Sequence, residues 1–403
     1  MRSVAAYAIF VASYVVFALG KFPGMKIDRP GAAIIGAVLM VALRVVGPED
    51  ALRSVDFGTI VLLFSMMVIV ASLHLAGFFA WITHLVVTRL EPRHLLPTVV
   101  FTSGVLSAFF VNDVVCLVMV PFVLAATRQM GVRPLPHLLA VATASNVGSV
   151  ATITGNPQNI LIGSLSGIGY RDFLAHLGPV AGVGLLIDWV VLHAVFLRGG
   201  ERDVGADVPD PLPVVDGARL VKPGIVLVLV IAGFLADLPP ALVAASGAAV
   251  VLITRTRERL VYDEVDWGLL VFFVGLFVIV GGAERAGLTE RLLAFASDWN
   301  LHRPVVLTLV AALLSNVVSN VPAVMVLKSL VPGFADPHTG WLVLAMASTL
   351  AGNLTITGSV ANIIVVERAR DVAPIGFGDY FAVGLPITIA TLAFGSAWLR
   401  LVG

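Results

Sequence analysis

The chain has 403 residues, 59% hydrophobic and 12% charged, with a mean hydropathy of +1.00. Lys plus Arg balance Asp plus Glu at 25 each, which gives no reason to expect a nucleic-acid partner. The single cysteine, Cys116, excludes an intrachain disulfide and a thiolate metal cluster.

Many segments approach the roughly 20 apolar residues that cross a bilayer, so the chain reads as an all-α polytopic membrane protein. Residues 4–20 and 31–46 are the first two expected spans. Asp56-Phe57-Gly58 opens a third, reaching Leu75. Residues 78–92 carry Trp81, His84, Arg89 and Glu91 and suit an amphipathic helix at the interface. Residues 96–127 are apolar but interrupted at Val111-Asn112-Asp113. Arms of only about 15 residues are short for a span, so a re-entrant hairpin with a polar tip is expected. Residues 136–166 form a span that should break at Thr154 to Gln158. There Gly155 loosens the backbone and Pro157 removes a donor. Residues 173–197 form the last span before a Pro- and charge-rich linker, 198–222.

The series then recurs. Spans are expected near 223–236 and 240–254. Asp266-Trp267-Gly268 matches Asp56-Phe57-Gly58 at an offset of 210, and Leu314-Ser315 to Asn320 matches Leu106-Ser107 to Asn112 at 208. Thr355-Ile356-Thr357-Gly358 with Asn362 repeats Thr152-Ile153-Thr154-Gly155 with Asn159 at 203. Residues 1–197 and 223–403 are therefore two repeats. This is why residues 4–20 read as a retained span rather than a signal peptide. Five crossings plus a hairpin in each repeat force the second to run inverted. Sixteen of the 25 Lys and Arg then fall on the linker side. This predicts a cytoplasmic linker, external termini and an inner (plasma) membrane location.

These motifs resemble the ion transporter superfamily over essentially the whole chain, most closely its arsenite efflux permease branch, which includes the plant silicic acid efflux carriers. The residues that carry the resemblance are Asn112-Asp113, Thr154-Gly155-Asn156-Pro157-Gln158-Asn159, Ser319-Asn320-Val321-Pro322 and Thr357-Gly358-Ser359-Val360-Ala361-Asn362. In the related divalent-anion/sodium symporters both tips read Ser-Asn-Thr. The tips here, Val-Asn-Asp and Ser-Asn-Val, depart from that. The resemblance implies a homodimer in which each protomer moves a unit of hairpins and broken helices past a scaffold.

Helix ends at mid-membrane offer free N–H groups and carbonyls. Asn112, Asn156, Asn159, Asn320 and Asn362, with Thr154, Thr357, Ser319 and Ser359, add neutral donors and acceptors around Gly155 and Gly358. Such a lining suits a small hydroxylated solute or an oxyanion. Asp113 is an ionisable group at a tip, which marks a functional site and a proton carrier. The alternative for it is capping of the second hairpin arm. Asp188 is a second carboxyl in an apolar run. No cofactor, metal or catalytic residue is expected. Absence of G-x-x-x-x-G-K-[ST] leaves an ATPase only as a separate subunit. The expected function is proton-coupled export of arsenite, antimonite or silicic acid. The alternative is a sodium-coupled anion carrier or a sodium/proton antiporter.

Overall fold

The computed structural model describes residues 2–20, 27–197, 217–253 and 258–402. Most of the expected linker, residues 198–216, lies outside them.

Ten helices form the first half: α1 (Arg2–Leu19), α2 (Arg29–Ala42), α3 (Pro48–Ser54), α4 (Phe57–Leu75), α5 (Phe78–Arg89), α6 (Leu95–Phe109), α7 (Asn112–Met130), α8 (Pro134–Ser149), α9 (Pro157–Ser166) and α10 (Tyr170–Leu192). Ten follow in the second: α11 (Gly217–Leu235), α12 (Pro240–Leu252), α13 (Glu258–Asp263), α14 (Trp267–Arg285), α15 (Leu288–Asp298), α16 (Pro304–Val318), α17 (Asn320–Leu327), α18 (Pro337–Leu350), α19 (Val360–Ala369) and α20 (Phe377–Val402). The described residues contain no strand. Each helix of one half has a counterpart at the same place in the other.

Local chemistry sets the starts. Asp56 accepts from the Thr59 N–H at 2.8 Å, and Asp266 from the Leu269 N–H at 2.9 Å, so the two Asp-aromatic-Gly motifs are N-caps. Proline stands at the head of α8, α9, α12, α16 and α18, where its missing donor costs nothing. Helix α11 begins at Gly217 rather than at 223, so the end of the expected linker is helical. The short helices α3 and α13 were not anticipated. The two hairpins also differ. Helix α7 has 19 residues, long and apolar enough to cross a bilayer, against the shorter arm expected, whereas α17 has 8.

Six described helices are long and apolar enough to span a bilayer. The halves interleave. Helix α2 packs on α14 and, reciprocally, α12 on α4. Helices α6 and α8 pair as α16 and α18 do, and α10 crosses α20. Helices α8 and α18 lie deepest: every residue from Pro136 to Ser149 and from Thr339 to Leu350 is buried. A helix apolar all round, or carrying only small polar groups, belongs inside. Gly148 lets α8 press on α6, because a Cβ there would fall on the Gly104 backbone. At one end of α10, Arg171 N and Nε reach Asp237 at 3.1 and 2.6 Å, tying α10 to the α11–α12 turn.

Candidate functional site

Both expected breaks are present. Helix α8 stops at Ser149 and α9 starts at Pro157. Between them Thr152 and Asn156 are extended around a 3-10 turn, Ile153–Gly155. Thr355 and Ser359 flank Ile356–Gly358 in the same way. The glycines are required by close approach. A Cβ on Gly155 would fall on the Ser149 carbonyl, and one on Gly358 would lie 2.8 Å from the Gly352 carbonyl.

Unwound backbone away from water must find partners. Asn159 Nδ2 donates to the carbonyls of Ser149 and Thr152 at 3.1 and 3.0 Å. Asn362 Nδ2 donates to those of Gly352 and Thr355 at 2.7 and 3.1 Å. These two amides clasp the breaks.

The helix starts beyond the breaks are capped differently. Asn156 caps α9, its Oδ1 accepting from the Asn159 N–H at 2.8 Å. Ser359 does not cap α19; its Oγ donates to Asn146 Oδ1 at 3.0 Å. Asp113, on α7, lies instead beside the start of α19, with its carboxylate near the backbone N–H of Ala361. The cap of Asp113's own helix is Val111. Asp113 therefore lies against a helix of the other half and does not cap its own arm. Its counterpart by the 208 offset is the uncharged Val321.

The tips join an amide network that crosses between the halves at Asn146 and Gln158. Asn112 Nδ2 donates to Asn146 Oδ1 at 2.9 Å, and Asn146 Nδ2 donates to Asn353 Oδ1 and Asn362 Oδ1, both at 2.8 Å. With its amide oriented to satisfy both ends, Asn320 donates to the carbonyls of Ser348 and Gly358 at 3.0 and 3.2 Å. In that orientation its oxygen accepts from Gln158 Nε2 at 3.2 Å. Gln158 and Asn156 both donate to Thr349 Oγ1 at 3.1 Å.

Asn146, Gln158, Thr349 and Asn353 are the residues that sequence reasoning missed as site members. Asn146 and Thr349 stand at the same 203 offset as the break motifs. That offset was the available signal.

The remaining candidates lie outside this amide network. The Thr154 hydroxyl pairs with that of Tyr170 at 2.9 Å. Thr357 is exposed, 3.4 Å from Thr355. Ser319 is half-buried at the second tip with φ 77° and ψ 161°, a strained backbone for a residue with a Cβ. Asn112 Oδ1 is buried and has no partner among the described residues, so one acceptor stays open. Asp188 is fully buried in α10 with both oxygens unpaired, the Thr143 hydroxyl being given to Leu139.

Asp113 also walls a cavity of about 70 Å³ with Met67, His74, Leu117, Glu264 and Asp266. That is room for about two water molecules. His74 Nδ1 lies 3.4 Å from a Glu264 oxygen. Arg29 is the cation within electrostatic reach of Asp113. The arrangement can bind neutral hydroxyls and handle a proton.

Known proteins align with the whole of this architecture. Residues 14–351 match the family model described as citrate transporter (CitMHS). The uncharacterized transporter Rv2685 of Mycobacterium tuberculosis H37Rv is 33% identical over 99% of each chain. The silicon efflux transporter LSI3 of Oryza sativa subsp. japonica is 29% identical over 96% of each. In structure the chain is similar to the YdaH transporter of Alcanivorax borkumensis, with a TM-score of 0.62 at 15% identity, covering 99% of this chain and 97% of that one.

Proposed function

The chain belongs to the citrate transporter family, and on that premise we propose that it is a secondary carrier exporting a small neutral oxyacid, of the arsenious or silicic acid kind, in exchange for protons. Family membership points to transport rather than catalysis, in a multi-pass membrane protein. The observation that carries the finer reading is the crossed contact at Asp113. One carboxylate lies beside the break of the other half, near the Ala361 N–H, and also faces a small cavity. Protonation would remove the negative charge beside the Ala361 N–H and make that donor, with the open Asn112 oxygen, more available to a solute hydroxyl.

Charge argues for a neutral solute. Three carboxylates, Asp113, Glu264 and Asp266, line the cavity beside His74, with Arg29 the cation nearby among the described residues. A carboxylate about 4 Å from an anion costs about 4 kcal/mol at an effective dielectric of about 20. That weakens binding a hundredfold or more. Arsenious and silicic acids are neutral near pH 7 and escape this cost. The similarity to a silicon efflux transporter supports the same class. A carboxylate anion as solute is the second reading, favoured by the family model's own description.

The larger mechanism follows the repeat. The halves lie inverted, with α6–α7 and α16–α17 as re-entrant hairpins, the linker cytoplasmic and both termini external. Paired protomers each carry their breaks past a scaffold. The coupling ion is the proton rather than sodium. Uptake of radiolabelled arsenite and of silicic acid into proteoliposomes, with proton and sodium gradients imposed separately, tests this. Accumulation should follow the proton gradient alone. Accumulation driven by sodium, or of citrate in preference to both acids, would replace the proposal.

A further inference from the structure

Away from the breaks, the first turns of α10 and α18 meet at one end of the molecule. Asp172 and His176 lie one turn apart on α10, and His338 is the second residue of α18. An Asp172 oxygen is 2.7 Å from His338 Nε2 and the other is 3.0 Å from His176 Nδ1. The two imidazole rings stand 5.2 Å apart at 73°. One ligand atom from each of the three residues lies within 4.8 Å of the other two. We propose that Asp172, His176 and His338 form a binding site for a divalent transition-metal ion of the Zn²⁺ class.

The chemistry fits that class. Two imidazoles and a carboxylate suit borderline ions, whereas Mg²⁺ and Ca²⁺ take oxygen ligands. Zinc–nitrogen and zinc–oxygen bonds of about 2.0–2.2 Å place neighbouring ligands of a tetrahedral ion roughly 3.4 Å apart. Both Asp172–His pairs are already inside that separation, so an entering ion displaces the Asp172 carboxylate from its bridge and releases His176 Nδ1 from the Asp172 carbonyl, 2.9 Å away. Asp172 is 44% exposed and His338 40%, which leaves a water its place as fourth ligand.

The supports are in position. Trp398 Nε1 donates to the His176 carbonyl at 2.8 Å and holds the turn that carries this ligand. Asp336 accepts from the Thr339 N–H at 3.1 Å and fixes the first turn of α18. The neighbouring cation, Arg171, is drawn away to Asp237 at 2.6 Å. Because α10 belongs to the first half and α18 to the second, a bound ion would tie the halves together.

Titration calorimetry of the purified, chelator-treated full chain with Zn²⁺, alongside the absorption spectrum of added Co²⁺, tests the site. One ion per chain should bind, raise the unfolding temperature and give a low-coordinate Co²⁺ spectrum. His338→Ala and His176→Ala should each lower affinity roughly tenfold or more, with His302→Ala, an exposed residue outside the cluster, unchanged. No binding in the parent, or binding in both cluster variants as tight as in the parent, would show Asp172 to be only a bridge between two histidines and would overturn the proposal.

Discussion

Asn159 and Asn362 make the same two bonds 203 positions apart: each side-chain amide donates to the carbonyls ten and seven residues before it. Each adds a side-chain donor to two carbonyls of an unwound segment. Alanine at either position should cost about 1–3 kcal/mol. Asn159→Ala and Asn362→Ala should each lower the unfolding temperature in detergent, and Asn→Asp more so, because the donors are replaced by acceptors. An unchanged melting temperature for both alanine variants would mean the clasps are dispensable.

The glycines of the two turns are not equally tight. A Cβ at position 155 would fall on the Ser149 backbone, whereas at 358 it meets the Gly352 carbonyl at 2.8 Å and the Asn316 side-chain oxygen at 2.9 Å. Gly155→Ala should sharply reduce the yield of monodisperse protein by size exclusion, and Gly358→Ala should reduce it less. The reverse order would contradict this reading of the turns.

Asn112 bonds Asn146, whose amide reaches Asn353 and Asn362 across the halves, and Asn320 bonds the second break at Gly358 and Gln158 of the first half. Asn112→Ala and Asn320→Ala should abolish transport in folded, membrane-inserted protein. Asp113→Asn should retain solute exchange in everted vesicles but lose accumulation driven by respiration. Full accumulation by the asparagine variant would remove Asp113 from coupling.

Asp237 offers a test by pH. Its carboxyl is held below the usual range, first by the Arg171 backbone N–H and then by the guanidinium. A depressed carboxyl stabilises the fold above its unfolded pKa, and that contribution disappears as pH falls through the folded value. The parent should melt above Asp237→Asn at neutral pH, and the gap should close below about pH 4. A gap independent of pH would mean the carboxylate charge contributes nothing.

Orientation can be read with single cysteines in a Cys116→Ser background, since Cys116 is buried. A cysteine placed in the linker should resist an impermeant maleimide in intact cells and react after lysis. Labelling in intact cells would reverse the topology.

The breaks were legible because the forces that make them are local. Gly155 and Pro157 act on their own backbone, and repetition at Gly358 gave the second copy. Asp56 and Asp266 were legible as span openings for the same reason, each capping the helix it precedes. Asn146 and Thr349 were not, because a neutral polar residue in an apolar helix does not announce its partner. Only the packing of α8 beside α18 and α19 makes Asn146 a junction. Asp113 was recognised as special, but its neighbour α19, near Ala361, lies 248 positions away and no spacing rule points there.

The reciprocal seating of α2 on α14 and of α12 on α4 bears on how the chain is made. A ribosome delivers α2 and α4 long before α14 and α12 exist, so each waits in lipid with its partner face bare. Those faces are covered only when the second half inserts and the two halves embrace. Biogenesis therefore has a late committed step. A first half produced alone should be held by chaperones or degraded, while the two halves expressed as separate chains in one cell should rescue each other.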